Sequence, residues 1–311
     1  MRAFIFPGQG SQSVGMGLAL AQASAAAREV FQEVDDALGQ KLFKLMTEGP
    51  ESDLLLTENA QPAIMAHAIA VLRVLEKEGG IRLADKADFV AGHSLGEYTA
   101  LCAAGALDLS VTAKLLKLRG RAMQAAVPVG QGAMAALLGA DLIKAQAIAD
   151  AAAEGEVCAV ANDNDPSQVV ISGAKAAIDR AVGIAKEHGA KRAVLLPVSA
   201  PFHCPMMQPA ADAMEKALAG VAIRAPLVPV YANVTAAPVS DPDTIRTLLV
   251  EQVTGMVRWR ESVAAMFDAG VTDYVELGGK VLGAMVKRIA PDAGVTSVVT
   301  MDDIEAIEKV L

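Results

Sequence analysis

Ser94 stands in Gly92-His93-Ser94-Leu95-Gly96, with a glycine two residues away on either side. Gly-x-Ser-x-Gly between a strand and a helix makes a sharp turn that lifts the serine oxygen clear of the sheet. The surroundings fit that reading. Asp88-Phe89-Val90-Ala91 is strand-like and Glu97-Tyr98-Thr99-Ala100-Leu101 is helix-like. The following helix points its N-terminus at the serine and favours developing negative charge there. The chemistry of such a turn is acyl transfer through a serine nucleophile.

A serine hydroxyl needs a base within hydrogen-bond reach. His67 lies in an apolar helix, His188 at a polar helix end, and His93 adjoins Ser94 with its ring expected to point away. His203 remains, in a loop fixed by Pro201 and Pro205, and loops on rigid scaffolds are where catalytic residues concentrate. It is the expected base. No Asp or Glu between Ser94 and His203 stands in an obvious motif, and Asp163 and Asp165 read as turn residues. The simpler reading is a Ser-His dyad whose second ring nitrogen is held by a backbone carbonyl.

The tetrahedral intermediate of acyl transfer needs donors for its oxyanion. The N–H of Leu95 is one, and the N–H of Gln9 in Gly8-Gln9-Gly10 is the best second. A dinucleotide fingerprint at Gly8 fails, because the third glycine position holds Ser13.

These residues require strands to carry them. Residues 3–6 and 87–91 read as buried strands, and residues 60–78 as a helix with Pro62 in its first turn. Strands alternating with helices imply an α/β fold with a parallel sheet. From 131 to 198 the rhythm changes. Strands at 133–138, 157–161, 168–172 and 192–197, with helices at 141–153 and 174–188, give the order β-α-β-β-α-β. The expected architecture is an α/β-hydrolase-like core, 1–124 and 199–311, interrupted by a ferredoxin-like subdomain, 125–198.

Composition narrows the function classes. A net charge of -9 disfavours non-specific nucleic-acid binding. No stretch is apolar for long enough to span a membrane, so a cytoplasmic protein is expected. Cys102, Cys158 and Cys204 are scattered, which argues for reduced thiols and against a structural zinc site. Monomer is the default expectation.

Phe6-Pro7-Gly8-Gln9-Gly10-Ser11-Gln12, the Ser94 turn, Arg119-Gly120-Arg121 and Phe202-His203-Cys204 occur in that order. Together they resemble the malonyl-CoA:acyl carrier protein transacylase family of type II fatty acid synthesis. The chain is also similar to the acyltransferase domains of polyketide synthases and animal fatty acid synthase. The resemblance covers essentially the whole chain. It departs from the family at Met256-Val257-Arg258-Trp259, against Pro-Val-x-Trp, and at Gly278-Gly279-Lys280, against Gly-Pro-Gly-Lys.

The resemblance implies a malonyl ester on Ser94, His203 as base and then acid, and Gln9 and Leu95 as oxyanion donors. It places Gln252 where the histidine finds its carbonyl. It makes Arg119 the clamp on the malonyl carboxylate, a bidentate pairing for which guanidinium is suited. Phe202 would crowd an α-methyl group, and Asn162 would lie near the donor. The implied partners are a coenzyme A thioester and the phosphopantetheine arm of acyl carrier protein, with no metal or redox cofactor. Lys114, Lys117, Arg121, Lys191, Arg192, Arg258, Arg260, Lys287 and Arg288 form a candidate basic rim for them. The rivals are a polyketide-loading acyltransferase and a Ser-His thioesterase.

Overall fold

The strand Arg2–Phe6 (β1) runs in parallel beside Phe89–Gly92 (β2), with Phe6 opposite Gly92. This pair forms the centre of a six-stranded sheet in a computed structural model that describes residues 1–198 and 200–311. The remaining strands are Val230–Ala232 (β7), Ala237–Val239 (β8), Asp273–Leu277 (β9) and Gly294–Val298 (β10), in the order β10-β9-β1-β2-β7-β8. Only the β7–β8 edge pair is antiparallel.

Strand alternation makes this a sheet covered on both faces. Phe4 and Phe6 join the larger apolar core with the helix Thr57–Lys77, whereas Ala3 and Ile5 join a second core around Trp259. The carboxyl ends of β1, β2 and β7 therefore open onto one crevice, the usual ligand position in open α/β sheets.

The second sheet lies wholly between residues 132 and 195. Its strands are Gly132–Leu138 (β3), Cys158–Asp165 (β4), Gln168–Ala174 (β5) and Arg192–Leu195 (β6), all paired antiparallel in the order β4-β5-β3-β6. Helices Leu142–Ala153 and Lys175–Ile184 cover one face and share a separate apolar core with it. Ser199, where the larger unit is expected to resume, lies outside the described residues.

Two local readings are corrected. The polar run from Asn162 to Asp165 is not a turn but the end of β4. Asp163 and Asp165 are buried because Arg260 and Arg288 reach across from the larger unit to pair with them at 2.8 Å. Tertiary partners satisfy carboxylates that would otherwise favour a solvated turn. The helix expected over 60–78 begins at Thr57, three residues earlier, so Pro62 sits in its second turn. Among the described residues no helix is long and apolar enough to cross a membrane.

Candidate active site

Ser94 follows β2 after one residue, His93, and immediately precedes the helix Leu95–Ala103. Its backbone is strained, with φ 54° and ψ -110°. The two flanking glycines are needed because of close approach. A Cβ on Gly92 would lie 1.9 Å from the Gly96 carbonyl, and one on Gly96 would lie 2.3 Å from the carbonyl of Phe6. That second contact presses the elbow against the end of β1, which carries the Gln9 loop. Asn233, just past β7, locks the turn: its Oδ1 accepts from the Ser94 N–H at 2.8 Å and its Nδ2 donates to the Gly92 carbonyl at 2.7 Å.

His203 arrives from the loop that leaves the second sheet, also with positive φ, 55°. Its Nδ1–H donates to the carbonyl of Gln252 at 2.9 Å and approaches that of Gly255 at 3.2 Å. Those carbonyls fix the tautomer, leaving Nε2 to accept from the Ser94 hydroxyl at 2.7 Å. Burial, and then the charge of Arg119, hold the imidazole down at about 3, so it is neutral at physiological pH.

Arg119 comes from the helix Leu109–Ala125 and is 1% exposed. Its Nη1 donates to Gln61 Oε1 at 2.8 Å, and its Nη2 to Gln252 Oε1 at 2.8 Å and Ser94 Oγ at 3.1 Å. All three acceptors are uncharged. Its buried Nε–H has no partner among the described residues.

A cavity of about 410 Å³ opens over these groups. Gln9, Leu95, Asn162 and Phe202 line it with Ser94, Arg119 and His203, and Met134 and Leu196 complete one wall. Neither the Gln9 nor the Leu95 N–H has a hydrogen-bond partner among the described residues. All eight residues singled out in the sequence thus gather at one place, Gln252 by its carbonyl and side chain beneath the cavity floor.

Sequence reasoning missed Gln61, Glu97, Asn164 and Asn233. His93 does turn from Ser94: its Nε2 meets Asn164 Oδ1 at 2.8 Å, tying the elbow to β4. Glu97 is 2% exposed, and its Oε2 accepts from Asn233 N at 3.0 Å and Gln252 Nε2 at 2.8 Å. Burial pushes its carboxyl up to about 7, against those bonds and the charge of Arg119. A lone carboxylate in the apolar run Leu95 to Leu101 was the available signal. The basic rim is smaller than expected, because Lys117 and Arg121 pair with Glu58, Arg258 with Glu261, and Arg260 and Arg288 with β4. Lys114, Lys191 and Arg192 remain exposed.

Residues 3–286 match the family model of the acyl transferase domain. The malonyl CoA-acyl carrier protein transacylase of Haemophilus influenzae is 45% identical, over 99% of this chain and 98% of its own. The crystal structure of an acyl-carrier-protein S-malonyltransferase from Bartonella henselae superposes with a TM-score of 0.97 at 53% identity, covering 99% of this chain and 98% of that one. A malonyl-transacylase in complex with its type II PKS acyl-carrier protein superposes at 0.96 with 38% identity, over 100% and 99% of the two chains.

Proposed function

The chain belongs to the acyl transferase domain family, and from that premise we propose that it moves a malonyl group from malonyl-CoA to the phosphopantetheine thiol of acyl carrier protein. The observation that carries the reading is the contact set of Ser94 Oγ, with a neutral imidazole on one side at 2.7 Å and a buried guanidinium on the other at 3.1 Å.

Ser94 Oγ attacks the thioester carbonyl as its proton passes to His203 Nε2. The N–H groups of Gln9 and Leu95 receive the oxyanion. Collapse expels coenzyme A, whose sulfur takes the proton from His203, and leaves malonyl-Ser94. The carrier thiol then gives its proton to His203 and attacks the ester. Ser94 leaves and regains that proton. Neither half-reaction calls for a metal or redox cofactor. Throughout, the Nδ1–H of His203 rests on neutral carbonyls, so a dyad suffices.

Arg119 supports a carboxylate-bearing acyl group. A buried cation with only neutral partners and an unsatisfied donor gains most from an incoming anion. Phe202 and Asn162 bound the acyl chamber. The carrier protein is assigned by the relatives' names and by the complex with a carrier protein. We place the enzyme in the cytoplasm, a reading supported by three free cysteines, and take it as a monomer.

Labelled malonyl-CoA tests the proposal. The protein should hold one label on Ser94 and pass it to carrier protein, and the Ser94→Ala variant should hold none. Rapid release of free malonate would instead make it a thioesterase.

A further inference from the structure

We propose that Glu97 is a positioning residue that sets the Arg119 clamp through the side-chain amide of Gln252. The proposal rests on the malonyl-transfer reading above, in which Arg119 holds the substrate carboxylate.

The geometry leaves one arrangement. Glu97 Oε2 lies 2.8 Å from Gln252 Nε2, and Gln252 Oε1 lies 2.8 Å from Arg119 Nη2. A guanidinium has only donors, and Glu97 Oε2 already accepts from the Asn233 N–H, so the amide between them has a single productive orientation. Gln252 Nε2 also donates to the Ser94 carbonyl at 3.0 Å. One amide therefore touches the clamp, the nucleophile's own peptide and the buried carboxylate. Its backbone carbonyl holds His203.

Glu97 is well placed to be the fixed end of that chain. It sits in the first turn of the helix Leu95–Ala103, where the helix dipole favours an anion. The N–H of Asn233 holds the same oxygen at 3.0 Å. It makes no direct ion pair with Arg119. A carboxylate bound directly to Arg119 would occupy the fork that the substrate needs. Set one amide away, it orients the fork without competing for it.

The test uses the full-length enzyme and two readouts. One is Ser94 acylation by malonyl-CoA, separated into KM and kcat. The other is labelling of Ser94 by a neutral fluorophosphonate, which needs the Ser94–His203 pair but no carboxylate clamp. Glu97→Leu removes the acceptor and should raise KM about tenfold, the loss of one hydrogen bond to a charged group. Its kcat and fluorophosphonate labelling should stay within about threefold of wild type. Glu97→Gln still offers an oxygen to both donors and should restore KM. Should Glu97→Leu not fold, Glu97→Asp, which retracts the carboxylate by one methylene, should raise KM in the same selective way.

Equal loss of malonyl acylation and fluorophosphonate labelling would overturn the proposal and make Glu97 a support of the elbow. An unchanged KM in the Leu and Asp variants, or failure of the Gln variant to restore it, would overturn it as well. The wild-type enzyme separately judges the malonyl reading. Were another carboxylate-bearing thioester its substrate, the same ratios measured with that thioester would still decide on Glu97.

Discussion

The elbow and the second sheet meet at the same cavity, but they are held in place by different means. The elbow is fixed by backbone contact. Gly92 and Gly96 touch neighbouring carbonyls where no side chain fits, and Asn233 bonds the turn from the next strand. The second sheet is fixed mostly by side chains, with one backbone bridge. Asp163 and Asp165 reach Arg260 and Arg288, Asn164 reaches His93, and one short bridge joins Asn162 to Val257. Backbone contact leaves no room for adjustment, whereas ion pairs at a partly open seam can rehydrate and reform. Ser94 lies on the rigid side, and the cavity wall, Met134, Asn162 and Leu196, on the adjustable side.

The contrast is broken most directly at Gly96. Gly96→Ala would drive a Cβ into the Phe6 carbonyl and should cost about 3 kcal/mol of stability in denaturant unfolding, with transfer lost alongside. A well-folded, active Gly96→Ala enzyme would show that the elbow can adjust after all.

Arg119→Ala tests the rigid side's chemistry. Malonyl kcat/KM should fall about 100-fold, while discrimination against acetyl groups relaxes. An unaltered malonyl rate with no gain for acetyl would remove the clamp. The same variant should change the acid limb. In the wild type His203 stays neutral down to about 3, so fluorophosphonate labelling of Ser94 should be flat from neutral into mildly acidic pH. Without the guanidinium, burial and the smaller influence of His93 still lower the imidazole, but its pKa rises. Labelling should then begin to fall at a higher pH than in the wild type.

On the adjustable side, Asp163→Ala should cost about 2 kcal/mol, because Arg260 is 30% exposed and can recover water. Transfer should fall far less than in Arg119→Ala. A collapse of activity at full stability would show that the seam, and not only the elbow, sets the reacting geometry. The smallest effect is expected at Phe202. Phe202→Ala should raise acceptance of methylmalonyl relative to malonyl by about tenfold, read from competing thioesters.

Much of the site was legible because its signals are local. The Ser94 turn, the paired glycines near Gln9 and the proline-bounded His203 loop each announce themselves within a few residues. The order of elements in the second sheet was legible from turn spacing and apolar alternation. Its polar edge was not. Asn162-Asn164 and the two aspartates look like turn chemistry, and only arginines almost a hundred residues or more away convert them to strand. Gln61 and Asn233 lay hidden for the same reason, since amides have no spacing rule. Glu97 was overlooked because a carboxylate in an early helical turn is ordinarily a solvated one.

The sequence by itself picked out Ser94 and His203 as a candidate pair and set the α/β order of the chain. Each of these follows from short-range constraints of sterics and periodicity. Tertiary structure decided what surrounds them: that the base rests on carbonyls, that Arg119 is a buried cation with neutral acceptors, and that Glu97 stands behind Gln252. Electrostatics in a dry crevice depends on which distant groups converge there, and convergence is a property of the folded chain.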